Sequence, residues 1–296
     1  MSGKPSNLNS LKRSVTDRAV TGLALAATLV VVTPLVAIFA YLVVKGASSV
    51  NLSFFTQIPR PPGEAGGGMA NAIVGSGVVL LVASALGVPI GIGGGIYLAE
   101  FGRGTRLATA VRFTADVLNG VPSIVMGMAI YLLVVSSQHG MIPFSGRFSA
   151  FSGGLALGIM MIPTVCRTTE EMLLMVPNAV REAALGLGVP NWRSVLSITV
   201  KTASPGIITG CMLAFARVAG ETAPLIFTAL GNAFMSTSLG KPIEALPLQI
   251  YVFALSPYDD WHRLAWAGSL VLILLIVLAV AIVRFVTSRG VLKGAS

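Results

Sequence analysis

The chain has 296 residues, of which 54% are hydrophobic and only 10% charged, and its mean hydropathy is +0.85. A water-soluble domain covers itself with about 25% charged residues, so this composition excludes a soluble globular protein and requires lipid over much of the surface. The formal net charge of +9 comes from Lys and Arg set between long apolar runs, a membrane topology signal rather than the basic stripe of a nucleic-acid binder.

Six stretches reach the ~20 apolar residues that a bilayer crossing needs: 19–44, 69–99, 111–135, 151–166, 205–231 and 264–286. The first follows Lys12, Arg13 and Arg18 like the start of a signal peptide. Its apolar part exceeds an h-region and no small-x-small cleavage site is evident, so a retained anchor is expected. Between the first two spans, "PRPPGEAGGG" is a loop by composition. The second span ends in "GVPIGIGGGIYLAEF". After Gly91 and Gly93 the position that would complete G-x-G-x-x-G is Ile96, and no P-loop Lys-Ser/Thr occurs. Its glycines are expected to let membrane helices approach closely. Arg112 and Asp116 open the third span as an interfacial pair, and the fourth is expected to run past Pro163 into "CRTTEEMLLMV". Tyr258, Trp261 and Trp266 flank the sixth, where an aromatic belt belongs.

Orientation follows from the basic residues between spans. Fourteen of the 20 Lys and Arg fall on the side of both termini, the 100–112 loop and the 167–204 loop; five fall on the other side, and Arg217 is left inside a span. That asymmetry places both termini in the cytoplasm. One membrane domain, 19–286, is expected between cytoplasmic tails at 1–18 and 287–296. Cys166 and Cys211 lie far apart and read as packing residues, and His139 and His262 as loop residues.

The cytoplasmic loop 176–204 is long for a turn and reads as two short helices. Asn178 and Asn191 are the candidate caps, Gly188 is the closing residue of the first helix, and Ala183, Ala184 and Leu187 form a small apolar ridge. Glu182-Ala183-Ala184, then Gly188 and Ile198 at the same spacing, resembles the EAA loop of ABC importer permeases; the pattern departs at Val200-Lys201, where that family has Leu-Pro. "NGVPSIVMG", "CRTTEEMLLMVPNAVREAALGLG" and "RVAGETAPLIFTAL" further resemble permeases of the phosphate-specific importer, the last of them PstA-type rather than PstC-type.

The resemblance implies an all-α, six-span type I importer permease in the bacterial plasma (inner) membrane, with Glu182, Ala183, Ala184 and Gly188 as the joint to an ATPase. It implies no cofactor on this chain, ATP and Mg being held by a partner. The implied partners are a PstC-type second permease, an ATPase dimer, an extracytoplasmic phosphate-binding protein and membrane lipid, with no nucleic acid. The outer segment 232–262, with "ALPLQIYVFAL", is the expected docking surface for the binding protein.

One apolar stretch, "LAFARVAGETAPLIFTAL", holds Arg217 and Glu221 one turn apart. Counted from Pro205 at 1.5 Å per residue, Arg217 falls about 18 Å along, near the middle of a ~30 Å core. A central arginine costs ~2.5–3.5 kcal/mol or more, so it should face a bundle interior or a wet path. Arg before Glu at i, i+4 is the weaker order for a helix, and Pro224 cannot donate to the carbonyl of Gly220. Both features favour a cavity lining over a self-satisfied ion pair. Arg217, Glu221 and Thr222 are therefore the expected substrate pathway, with the guanidinium facing an oxyanion. Two rivals stand beside this reading. A gradient-driven secondary transporter would use Arg217 and Glu221 as a proton relay. A membrane hydrolase would need a nucleophile–base pair, which the sequence does not display.

Overall fold

A computed structural model describes residues 7–64, 66–137 and 144–293, so the position read at His139 lies outside the described residues. Among these described residues, five helical spans are long and apolar enough to cross a bilayer, and six if one bent pair is counted as a crossing.

Helix α1 (Asn7–Gly46) begins well before the expected span, so from Asn7 the expected tail is the first part of one helix; between Pro5 and Pro34 only Gly22 is a poor helix former. Its apolar window is wholly exposed. It meets the rest of the chain near its end, where Tyr41 packs edge-on against Trp266 at 5.2 Å and Leu42 is buried. Helix α2 (Leu52–Thr56), capped by the Asn51 side chain, leads through the irregular 57–69 segment.

The centre is the parallel pair α3 (Ala70–Ile96) and α6 (Ala150–Leu174). Gly87, Gly91 and Gly95 stack one turn apart along α3. A Cβ at Gly91 would lie 2.6 Å from the Cβ of Val165, and one at Gly95 2.6 Å from the carbonyl of Cys166. Only the lack of side chains lets these backbones meet, which is the role expected for the glycine run. Gly154 and Gly158 reciprocate against Val82 and Ala83. Helix α6 continues through Pro163 to Leu174, as expected, and buries both Cys166 and, against its other flank, Cys211.

The third expected span is not straight. Helix α4 (Arg106–Gly120) and helix α5 (Ser123–Ile130), which runs on through a π-helical turn to Val135, meet at 106°. Pro122 has no N–H to donate and pushes Val121 out of the helical region, to φ −70°, ψ 128°. The motif "NGVPSIVMG" is thus a corner.

After the short helix α7 (Asn178–Gly186), helix α8 (Asn191–Ser194) continues through a π-helical turn at Val195–Thr199 into α9 (Val200–Ala219). The second loop helix read from sequence is therefore the foot of the fifth span, which runs from Asn191 to Ala219 and not from 205 to 231. Pro205 does not start it: the Lys201 carbonyl that Pro205 cannot serve accepts a bond from the Ser204 hydroxyl at 2.8 Å. Helix α10 (Ala223–Thr228) follows a break, and helix α11 (Leu246–Ala254) packs beside the final helix α12 (Asp259–Lys293). His262 belongs to the first turn of α12 rather than to a loop, its Nε2 lying 2.7 Å from the Ser256 carbonyl.

Candidate coupling and translocation sites

The loop between α6 and α8 is organised by two prolines. Pro177 and Pro190 sit immediately before α7 and α8 in extended conformations, with ψ of 141° and 145°. Asn178 and Asn191 are consequently first helical residues and not caps; neither helix start carries a side-chain cap bond. Gly188 closes α7 as expected, at φ +78°, where a side chain would be strained. The expected ridge divides. Consecutive helical residues point about 100° apart, and Ala184 is turned inward at 3% exposure. Glu182, Ala183, Leu187 and Gly188 are exposed, Leu187 at 84%.

The sequence reading missed the charge pairs that fix this loop and the neighbouring α4. Arg181 donates to Glu100 Oε1 at 2.7 Å and to the carbonyls of Leu173 and Val176. Glu100 sits in the π-helical turn (Tyr97–Phe101) that ends α3. Nearby, Glu170 is buried at 3% exposure and accepts from Arg112 Nε at 2.7 Å, with Arg167 at 3.5 Å. Arg112 also donates to the Leu98 carbonyl at 3.2 Å. Its partner is therefore Glu170 and not Asp116, which is exposed. Partners 58 and 81 residues apart leave no local spacing to read; the only signal was an acid at the end of an apolar run.

The Arg217 region differs from the sequence reading in one decisive respect. Helix α9 stops at Ala219, and Gly220 has φ −96°, ψ 0°. Glu221 lies in the break, its N–H donating to the Val218 carbonyl at 3.1 Å, and Thr222 immediately precedes α10, with Pro224 in the first turn. The opening falls at 220–222, beginning at the Gly220 carbonyl that Pro224 cannot serve. Arg217 is thus in the last turn of α9, near the end of the Asn191–Ala219 span and not near its middle, because the span starts well before Pro205. It shares no continuous helix with Glu221. Among the described residues Arg217 has no ion pair, and it is exposed, while Glu221 and Thr222 are half-buried. Leu213 and Arg217 of α9, with Gly220 just beyond its end, form one uncovered stripe beside the buried Ala214 and Val218. Against the break packs the corner motif: a Cβ on Gly127 of α5 would lie 2.7 Å from Pro224 Cα.

At the end of the bundle opposite α7, the irregular 229–245 segment is tied by a bridge between Leu230 and Ile243. Glu244 there accepts from the Asn232 and Ala245 N–H groups at 3.2 and 3.3 Å. Burial nevertheless pushes its carboxyl up to about 7, the two N–H donors opposing the shift. It shares a cavity of about 470 Å³ with Arg60, Gln249 and Trp261. Helix α11 buries Leu246, Leu248 and Phe253 and leaves Tyr251 and Val252 exposed, as is Leu255 just after it.

These features sit in a chain whose residues 91–290 match the family of binding-protein-dependent transport system inner membrane components. The chain is similar to the phosphate transport system permease protein PstA of Yersinia pestis, 47% identical over 83% of this chain and 81% of the relative. It is 42% identical to that of Haemophilus influenzae over 91% and 93% of the two chains. PstA 1 of Mycobacterium tuberculosis H37Rv is 34% identical over 95% and 91%. Its fold is similar to an inward-facing MetNI methionine ABC transporter structure, with a TM-score of 0.55 at 18% identity over 76% of this chain and 96% of the other. With its several apolar spans, its EAA-type loop and these relatives, the chain belongs to the PstA family of inner-membrane permease components of binding-protein-dependent transport systems.

Proposed function

We propose that this chain is the PstA-type half of the membrane pathway of an ATP-driven phosphate importer, and that Arg217 borders the passage of the anion. The observation that carries the reading is a permanently charged guanidinium on the uncovered stripe of α9, beside a helix break, that has no ion pair among the described residues. Such a group is costly in lipid. Facing a passage shared with a second, PstC-type permease, it offsets part of the desolvation of a tetrahedral oxyanion, and its planar fork matches the oxygens. Glu221, across the break, keeps the net charge of the site low so that phosphate is not trapped. Thr222 supplies a hydroxyl from the start of α10. Phosphate as the substrate rests on the likeness to permeases that bear that name.

The coupling reading places an ATPase dimer against the exposed side of α7, with Glu182, Ala183, Leu187 and Gly188 outward and Ala184 anchoring the loop from within. Both termini are cytoplasmic on this reading, with residues 1–18 and 287–296 flanking the permease domain. The binding protein docks at the opposite end, on the 232–262 surface that includes α11. ATP and Mg belong to the ATPase.

The test is phosphate uptake by proteoliposomes holding the complete transporter. Arg217→Gln should lower uptake at least tenfold, with the complex intact, and Arg217→Lys should keep part of it. Unchanged uptake and unchanged coupling to ATP hydrolysis in Arg217→Gln would end the assignment. Uptake without ATP would instead favour a gradient-driven carrier.

A further inference from the structure

Between the joint and the pathway something must carry motion, and the strongest polar contact of the coupling loop lies on the side facing away from any partner. Arg181 is the fourth residue of α7. Its side chain is 14% exposed and that of Glu100 only 7%. The two groups meet through several bonds: Nη2 to Oε1 at 2.7 Å, and Nε to both carboxylate oxygens at 3.2 Å. The remaining donors reach the carbonyls of Leu173 at 2.7 Å and Val176 at 2.5 Å, at the end of α6. The Leu173 carbonyl, in the last turn of α6, also accepts from the Val176 N–H at 3.2 Å, and Val176 follows just beyond the helix. One guanidinium therefore binds three elements: the coupling helix, the π-turned end of α3 and the end of α6.

We propose that Arg181 and Glu100 are positioning residues forming a latch that carries displacement of α7 into the α3–α6 pair. The pair is suited to receive it. Its glycine seam leaves no slack between the two backbones, and close-packed interfaces transmit displacement rather than absorb it. The link itself resists rupture, because separating the charges would leave the buried Glu100 carboxylate without its counter-charge. A lysine could neutralise Glu100 but could not fork to both carbonyls as well. The transport consequence rests on the function proposed above; the mechanical claim does not.

Two readouts separate them. In complete transporters, phosphate moved per ATP hydrolysed should fall at least tenfold in Arg181→Gln and Glu100→Gln, with the ATPase still co-purifying. Arg181→Lys should fall threefold or more, and it decides the matter if the glutamine variants fail to assemble. The second readout needs no substrate. Spin labels at Ala179→Cys on α7 and Leu81→Cys on α3, with Cys166 and Cys211 replaced by alanine, should hold one distance distribution through the ATP cycle. In Arg181→Lys that distribution should broaden. Absence of phosphate uptake by the unsubstituted complex would count against the proposed function alone. A distance that is equally fixed, or an uptake ratio within twofold of the unsubstituted protein in these variants, would overturn the latch.

Discussion

Replacing Glu244 by glutamine should abolish a pH dependence built into the segment opposite the coupling loop. The Glu244 carboxyl is raised from 4.5 to about 7 in the folded protein, chiefly by burial. Below pH 4.5 it is protonated in both the closed segment and the opened one, so the segment has its full stability. As pH rises through the 4.5–7 window, the opened form gives up its proton first and closure weakens; above 7 both forms are charged and the loss is complete. Between pH 5 and 8, these two values correspond to about a 70-fold loss in the closing equilibrium, ~2.5 kcal/mol. The assay is hydrogen exchange of the complete transporter, following the Asn232 and Ala245 amides, which donate to this carboxylate. Protection factors corrected for the intrinsic pH effect should fall by that order in the unsubstituted protein and stay level in Glu244→Gln. A change of less than threefold in the unsubstituted protein, or an equal slope in both, would refute the burial argument.

Two other outcomes follow from packing. Gly91→Val places a Cβ 2.6 Å from that of Val165, whereas Gly93 has nothing within 4 Å; thermal unfolding in detergent should show Gly91→Val destabilised by about 1–3 kcal/mol or more and Gly93→Ala unharmed. Equal effects would mean that the α3–α6 seam is not as close as described. In the coupling loop, Leu187→Asp alters a side chain that is 84% exposed, and it should leave the permease folded while preventing co-purification of the ATPase. Ala184→Asp, at a position 3% exposed, should destabilise the loop itself, seen as faster proteolysis around α7. Retention of the ATPase by Leu187→Asp would move the docking face elsewhere.

The sequence by itself determined the class of the protein, because membrane insertion depends on long apolar runs and on the basic residues between them, which are local properties. It also located the glycine seam, the closing role of Gly188, the passage of α6 beyond Pro163 and the interest of Arg217, since an arginine in an apolar stretch is conspicuous whatever surrounds it. The tertiary structure decided the rest, wherever a local rule had two outcomes. Proline ends a helix at Pro122, while at Pro205 the Ser204 hydroxyl serves the carbonyl that would otherwise stop it. Arg217 and Glu221, spaced for one helix face, are parted because the opening beside Gly220 ends α9 altogether instead of only loosening it. The acids that hold α4 and α7, Glu170 and Glu100, are distant in the chain from Arg112 and Arg181. A charge buried in a membrane protein takes whatever partner the packing brings near, and only the folded bundle says which one that is.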